Sequence, residues 1–428
     1  MAVTAAALDD ALRAIVGAEH RREGGAPVDG VVPRWTAAPA GVEQAAALVA
    51  LGHEERLAVV PRGSGAALEL GHPPGRVDLV VQMRRLDAVL EHSPEDLTVS
   101  VQAGCTAGVL AAHLAGHRQT LPLDPPGWTA RSLGGIAATQ ASGPLRQRYG
   151  TMRDLLLGVR FAQADGVLTW GGAKVVKSVS GYDVPKLMVG ALGTLGVLLE
   201  LTLRLHPAPD YEATWLAGFR TPAHAQECVA ALLDSTVQTN RLEILDGRVL
   251  AACSLPVTAA ALAVSIGTVE PAVRAQEGLV RAIVQRAQGT VQTMGASFWK
   301  TYDRALAGFD GVVLRIGSVP ARLVETLGAV QAMLPGAAVA GAAGLGALRV
   351  LVTHADATAA LRAPLERLRA TVAEVGGGVI IERGPRALRE RIDPWGPVPP
   401  PALAVMRAIK TEFDSHAVLN PGRYVGGL

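Results

Sequence analysis

The sequence predicts an α+β protein built from more than one domain. Between residues 56 and 205, short runs rich in Val and Leu alternate with glycine turns, the pattern of paired strands. Beyond His206-Pro207-Ala208-Pro209 the pattern changes, and helical stretches alternate with strand-like ones. At 428 residues the chain is long enough for two or three domains. The division that follows is an N-terminal helix and lead-in over 1–34, an α+β domain over 35–209, a second α+β domain over 210–395, and a C-terminal helix and tail over 396–428.

Taken in order, MAVTAAALDDALRAIVGAEH reads as an amphipathic helix and not as a signal peptide, because it lacks a basic leader and Asp9 and Asp10 interrupt its apolar stretch. Residues 56–61 and 77–83 read as strands. Residues 88–104 read as a hairpin turning at Ser93-Pro94-Glu95-Asp96. Thr106 is placed to cap a helix that ends near Gly116. Asp165-Gly166 suits the two-residue turn of a hairpin over 155–172, and 195–207 closes the region with a long alternating strand. After the linker, helices are expected at 223–234, 271–288, 322–333 and 357–374. Strands are expected at 260–266, 311–319, 347–353 and 377–382, giving a sheet covered by helices on one face. The longest uncharged stretch, 326–348, is broken by Pro335-Gly336 and reads as a helix end, a turn and a strand. A membrane span needs about 20 continuous apolar residues. A proline-rich link, RIDPWGPVPPP, leads to the final helix and the tail LNPGRYVGGL.

Hydrophobic residues make up 49% of the chain and charged residues 18%, which supports packed cores. The formal net charge of +2 shows no overall bias toward nucleic acid or anionic membranes, although a local patch stays open. Cys105, Cys228 and Cys253 lie far apart with no C-x-x-C pair, so a four-cysteine iron–sulfur or zinc site is excluded. The cytoplasm is the expected compartment.

Three segments point to a bound molecule. In VVPRGSGAALEL (59–70), Gly63 and Gly65 flank Ser64 after an apolar run. Such a turn either converges backbone N–H groups on an anion or is simply tight. It is neither G-x-G-x-x-G nor a nucleotide-triphosphate P-loop. In the second segment, 121–150, Ser132 is placed to cap a helix whose first turn holds Gly134-Gly135, followed by Ala137, Ala138, Ser142 and Gly143. That suits either a diphosphate and flat ring or close helix–sheet packing. In the third, 174–201, Gly190, Gly193 and Gly196 recur at every third position, as helix packing or as a loop around a ligand.

Together, in this order, these segments resemble the FAD-binding domain of the vanillyl-alcohol oxidase and p-cresol methylhydroxylase (PCMH-type) family. They resemble more closely the FAD-binding chain that accompanies the catalytic flavoprotein in bacterial glycolate oxidase. The residues that carry the resemblance are 61–67, 133–143, 153–158, 171–183, 187–197 and the tail Leu419-Asn420-Pro421-Gly422-Arg423. The resemblance implies a PCMH-type domain of two α+β subdomains and an α+β cap. It implies that Pro61, Arg62, Gly63, Ser64, Gly65, Ala66 and Ala67 hold the pyrophosphate. Ser132, Gly134, Gly135, Ala138, Ser142 and Gly143 line the diphosphate, ribityl chain and ring. Gly193, Gly196 and Val197 meet the adenosine half, and Asn420 and Arg423 return the tail to the flavin. Lys177, Tyr182 and Asp183, from the same pattern, are read as shaping the flavin site. Two positions depart from the family: Ala66-Ala67 replaces the frequent Thr-Ser, and Ser142 stands where Asn or Gly is common. No histidine lies in or just after the opening loop, and Cys105 reads as a small buried residue, so FAD is expected to be noncovalent.

Relatives that oxidise 2-hydroxy acids carry H-x-G-D-G-N-x-H in the second domain. Here His224, His354 and His416, the histidines beyond the linker, are isolated, no H-x-x-x-H or H-E-x-x-H spacing is read, and no metal is expected. Arg315, Lys300 and Tyr302 are weak candidates for a carboxylate clamp or catalytic group; packing around Trp299 and Phe298 is the alternative. The resemblance implies an electron-transferring subunit of a glycolate-oxidase-type complex with two partners, a catalytic FAD subunit and an iron–sulfur subunit. The location would be cytoplasmic, or peripheral to the inner membrane face through the complex. A free-standing FAD-dependent oxidoreductase and a structural subunit with a decayed flavin site are the alternatives.

Overall fold

The computed structural model describes residues 4–173, 181–353 and 360–428. Three sheets organise them. The first has the order Arg21–Glu23, Trp35–Ala37, Leu79–Gln82, Val59–Arg62, with its last two pairings parallel. Helices Ala5–Val16 and Val42–Glu54 cover it through Leu8, Leu12, Leu48 and Val49, the apolar face predicted for the N-terminal helix.

The second sheet is antiparallel, in the order Val89–Ser93, Thr98–Gln102, Val197–Arg204, Leu156–Ala162, Leu168–Gly172. Both expected hairpins occur here. Val197 and Leu199 face the core shared with the first sheet, whereas Leu198, Leu201 and Leu203 face the core under helices Ala107–Ala115 and Leu133–Thr139. Burial on both faces explains why the run is nearly continuously apolar. Thr106 caps its helix as expected, accepting from the Val109 N–H at 3.3 Å. The expected linker is itself paired, because His206–Pro207 forms a short antiparallel ladder with Gln119–Thr120.

The third sheet has eight strands, all antiparallel, running Thr290–Met294, Tyr211–Phe219, Ala260–Thr268, Arg241–Asp246, Ala338–Ala342, Ala347–Thr353, Gly311–Gly317, Gly378–Arg383. Helices Pro222–Leu233, Glu270–Arg286, Leu323–Met333 and Arg362–Glu374 pack on one face around Trp215, Phe219, Leu262 and Leu314. Alternation sends Leu216, Leu245, Ala263, Val313 and Leu351 to the other face. There two shorter helices, Gly247–Ala252 and Phe298–Ala307, meet them. The early part of the helix expected from 357 falls partly outside the described residues. Among the described residues, no helix is long and apolar enough to cross a membrane.

The C-terminal helix Pro400–Phe413 carries the chain back to the first sheet. Val59 N–H donates to the Val418 carbonyl at 2.8 Å and Asn420 N–H to the Val59 carbonyl at 2.9 Å, so the tail closes the edge of that sheet. Lys410 holds this return in place. Its buried Nζ donates to Asp414 Oδ2 at 2.6 Å, the Thr194 carbonyl at 2.8 Å and the Leu419 carbonyl at 3.1 Å. Asp414 accepts in turn from the Val418 and Leu419 N–H groups. Burial lowers the Lys410 pKa, and Asp414 opposes that shift.

Lys410→Met removes one partner of a buried, hydrogen-bonded pair. The expected cost is about 3–5 kcal/mol, read as a lowered thermal midpoint, whereas Arg407→Met on an exposed turn of the same helix should leave the midpoint within error. Equal midpoints for both variants would remove Lys410 from this role.

Candidate functional site

The strand Val59–Arg62 opens directly into the loop 63–67. Gly65 takes φ +80, a region that favours glycine. Gly63 matters for space instead, since a Cβ there would lie 2.0 Å from Ser132 Oγ. Ser64 and Ser132 exchange reciprocal bonds, each N–H donating to the other's Oγ at 3.3 Å. Gln82 Nε2 donates to the Gly63 carbonyl at 3.1 Å.

Two expectations about the second segment are corrected here. Ser132 sits at the N-cap position of helix Leu133–Thr139, but its hydroxyl serves the loop and makes no capping bond. The first turn of that short helix also has fewer N–H groups to offer an anion than expected. Leu133 N–H donates to the Cys105 carbonyl and Gly134 N–H to the Ala103 carbonyl, both at 2.8 Å. Cys105 is buried and free, and burial pushes its thiol up to about 11, as expected for a small core residue.

The third segment closes over the same space. Leu192 N–H donates to the Ala138 carbonyl at 2.8 Å, and Gly193 has φ +68 with its α-carbon against Pro61. From the tail, Asn420 Nδ2 donates to the Leu192 carbonyl at 2.5 Å, while its buried Oδ1 has no partner. Arg423 donates to the backbone carbonyls of Leu68, Leu70 and His72. Burial is the main cause lowering its pKa to about 10.

These pieces enclose a cavity of about 850 Å³, open on one side. Pro61, Arg62, Gly63, Ser64, Gly65, Ala66, Ala67, Ser132, Gly134, Gly135, Ala138, Gly193, Asn420 and Arg423 all line it. Arg62, Arg131 and Arg423 are in its wall, and among the described residues no carboxylate is. Burial, with Arg84 and Arg22 nearby, lowers the Arg62 pKa, which marks a positive local potential. The cavity therefore suits an anionic ligand, and the unpartnered Asn420 Oδ1 suits a hydroxyl or amine donor on it.

Four expected residues lie elsewhere. The Gly196 α-carbon packs on Phe161, and Val197 is buried between two sheets. Ser142 gives its carbonyl to Arg349, and Gly143 packs on the Asp124 backbone. Tyr182 is 95% exposed, and Asp183 caps the helix Val184–Met188 at the surface, so neither shapes the cavity. Lys177 and His354 lie outside the described residues.

The cavity adjoins a second space of about 1450 Å³, bounded by loop residues 65–70 on one side and the eight-stranded sheet on the other. Arg131, Arg349 and Arg383 line it together with Asp29, Glu69 and Glu382. Arg349 Nε donates to Glu382 Oε2 at 3.2 Å and Nη2 to the Ser142 carbonyl at 2.8 Å. Burial pushes Glu382 upward, yet Arg349, Arg315 and Arg131 outweigh it and hold the carboxyl below its ordinary range. Tyr302 is buried with its hydroxyl donating to Glu243 at 2.6 Å and does not reach this chamber, and Lys300 is exposed. Arg315 pairs in register with Arg349 on the next strand and acts on Glu382 only through its charge. Sequence reasoning missed Arg131, Arg349 and Glu382. The signal for the last two is a charge in a largely apolar strand, Arg349 in ALRVLVT and Glu382, next to Arg383, in GVIIER.

The reading that H-x-x-x-H spacing is missing is corrected: ahead of the linker the chain holds His113-Leu114-Ala115-Gly116-His117. In the fold these two rings meet His92.

Residues 33–172 match the family model described as "FAD binding domain". A probable mitochondrial D-lactate dehydrogenase of Danio rerio is 34% identical over 219 residues, a match covering 50% of this chain and only 44% of that protein. Glycolate oxidase subunit GlcD of Bacillus subtilis (strain 168) is 28% identical over 426 residues, covering 92% of this chain and 89% of that one. Among solved structures, p-cresol methylhydroxylase with substrate bound superposes with a TM-score of 0.79 at 16% identity, over 98% of this chain and 97% of that one. The fold is thus the PCMH-type FAD-binding fold. This chain carries the FAD binding domain over residues 33–172, and FAD is its cofactor.

Glu243 is fully buried, and burial pushes its carboxyl up to about 8. The unfolded chain releases this proton near the ordinary 4.5, whereas the folded chain keeps it to about 8. The group's stabilising contribution is therefore full below that lower value and is lost as pH rises through the upper one. Glu243→Gln should gain thermal stability relative to the wild type as pH rises from 4.5 to about 8, the window those two values bracket. Parallel melting curves for the two proteins would count against a neutral Glu243.

Proposed function

We propose that this chain oxidises, or passes on electrons from, a small 2-hydroxy acid as the FAD-binding subunit of a glycolate-oxidase-type complex. One observation carries the reading: a cavity that holds three arginines and, among the described residues, no carboxylate opens onto a chamber that presents Arg131, Arg349 and Arg383 beside Asp29, Glu69 and Glu382, of which Asp29 is already paired with Arg389. The first suits the diphosphate of FAD. The second suits a substrate carboxylate. The names of the D-lactate dehydrogenase and glycolate oxidase relatives support a hydroxy-acid substrate.

In this reading residues 35–209 hold the cofactor, and residues 210–395 shape the chamber and meet partner subunits. The loop 61–67 takes the diphosphate, Ala138 and Gly135 leave room for the ring, and Asn420 and Gly193 meet the adenosine half. FAD, when bound, supplies the acceptor for a hydride from the alcohol carbon. Glu382 keeps Arg349 aligned for the carboxylate. Among the described residues neither histidine nor cysteine lines the cavity, which supports noncovalent attachment. Among the described residues no histidine lines the chamber either. That favours a subunit that relays electrons between a catalytic flavoprotein and an iron–sulfur partner at a cytoplasmic site. The arginine chamber itself is the observation that favours the second reading, a free-standing oxidoreductase of a small hydroxy acid.

The test is a visible spectrum of the purified protein before and after denaturation and filtration. Flavin bands that pass into the filtrate support noncovalent FAD; colour retained on the polypeptide refutes it. Lack of colour after soaking in FAD leaves only a structural subunit. Anaerobic addition of glycolate or D-lactate then separates the two active readings. Bleaching of the isolated chain favours the free-standing enzyme, and bleaching only with the catalytic subunit present favours the complex.

The steric argument at the loop gives a second expectation. Gly63→Ala places its Cβ 2.0 Å from Ser132 Oγ and 2.8 Å from Ser132 Cβ, in a site too buried to yield. FAD affinity of the apoprotein should fall at least about tenfold, since about 1.4 kcal/mol of distortion suffices. Adding Ser132→Gly should restore part of the loss, and an unchanged dissociation constant in Gly63→Ala would remove the loop from the binding site.

A further inference from the structure

Away from the flavin side, three histidines from two elements converge on one surface spot. His92 lies on the edge strand Val89–Ser93. His113 lies in the last turn of helix Ala107–Ala115, and His117 follows the C-cap Gly116. The His92 ring centroid is 5.1 Å from that of His113 and 4.6 Å from that of His117. One nitrogen from each ring can be taken so that all three lie within 4.8 Å of one another.

The surrounding bonds decide which nitrogen of His92 is available. His92 Nε2 is 2.8 Å from Gln119 Oε1, and the Gln119 amide is fixed because its Nε2 donates to the Pro94 carbonyl at 2.7 Å. An amide oxygen only accepts, so His92 Nε2 carries the proton and Nδ1 bears the lone pair. That lone pair faces the cluster, with His92 Nδ1 3.2 Å from His113 Nε2. Two nitrogens on one tetrahedral zinc, each about 2.0–2.1 Å from the metal, stand about 3.3–3.4 Å apart. A ring whose second nitrogen is held by a carbonyl-type acceptor is the usual environment of a metal-bound histidine.

We propose that His92 Nδ1, His113 and His117 bind one divalent transition-metal ion. Three imidazoles without carboxylate or thiolate select zinc, copper(II) or nickel(II) over calcium and magnesium. His113 and His117 are exposed, so the fourth position is open to water or to a ligand from outside the chain. The ion would tie the edge strand to the helix end. It would also brace Gln119, whose strand pairs with His206–Pro207 where the chain passes into the eight-stranded sheet. The site is separate from the FAD cavity and shares none of its lining residues.

The experiment uses the tag-free flavoprotein and zinc chloride, with stoichiometry from equilibrium dialysis and affinity from calorimetry. One zinc per chain is expected. His113→Gln and His117→Gln should each weaken binding more than about 100-fold, since removing even the hydrogen-bond partner of a ligand costs about 10–100-fold. His53→Gln with His416→Gln, which removes the other close histidine pair, should leave it unchanged. Retained flavin absorption shows that each variant is folded. A second measurement needs no variant: cobalt(II) added to the wild type should give the intense difference spectrum of a tetrahedral site. Weak octahedral bands, or zinc binding equal in wild type and His113→Gln/His117→Gln, would overturn the proposal.

Discussion

The return of the tail to the edge of the first sheet is the constraint on which the FAD cavity depends. Nearly half of the cavity wall is glycine, alanine and serine, which supply little side-chain packing to hold it together. Its segments near 63, 134, 193 and 420 are far apart in the chain. Order has to come from backbone bonds made by the few long polar groups present. Asn420 fixes Leu192, Arg423 fixes Leu68 and Leu70, and Lys410 fixes Thr194 and Leu419 together. Burying two cations is costly, and it is tolerated because nearly every donor finds a carbonyl or carboxylate. The one atom left over, Asn420 Oδ1, belongs to a residue that lines the cavity.

A second set of ion pairs fixes the chamber. Arg389 is buried against Asp29 and also donates to the Gly71 and Gly384 carbonyls, joining the last strand's neighbourhood to the N-terminal lead-in. Arg241 bridges Asp124 and Glu212, and Asp303 accepts from the Gly127 N–H. A hydrophobic seam would hold the halves together as well but would tolerate sliding. Directional pairs at three separated points define one relative placement, and with it the distance from the flavin cavity to Arg349 and Arg383.

What was legible in the sequence follows from how local the information is. The hairpins at 93–96 and 165–166 and the cap at Thr106 are written in neighbouring residues, and they occur where expected. The glycine and serine loop was legible for the same reason. Ser132 was misread because a hydroxyl before a helix has two uses, capping its own helix or serving a distant loop, and only the fold decides between them. Gly196 looks like Gly193 in sequence, yet only Gly193 lines the cavity. Arg349 and Glu382 are 33 positions apart and meet through the register of three strands, which no local pattern specifies. The histidine cluster was half-visible, since His113 and His117 share a short spacing but His92 arrives by sheet pairing.

The buried charges around Arg349 have a common logic. Its guanidinium lies between Glu382 on the chamber side and the Glu243–Tyr302 pair behind it. If Glu243 were ionised, Arg349 would be neutralised from both sides and would have little attraction left for an anion. Burial instead keeps Glu243 protonated to about 8, with its carboxyl accepting from Tyr302. Glu382 then answers to Arg349, Arg315 and Arg131 together, a surplus of positive charge around that one carboxyl. That local surplus arises from desolvating one acid and crowding three bases around another. Arg315 and Tyr302, candidates for direct contact on sequence grounds, act in this arrangement from behind, by setting the charge of the residues that line the space.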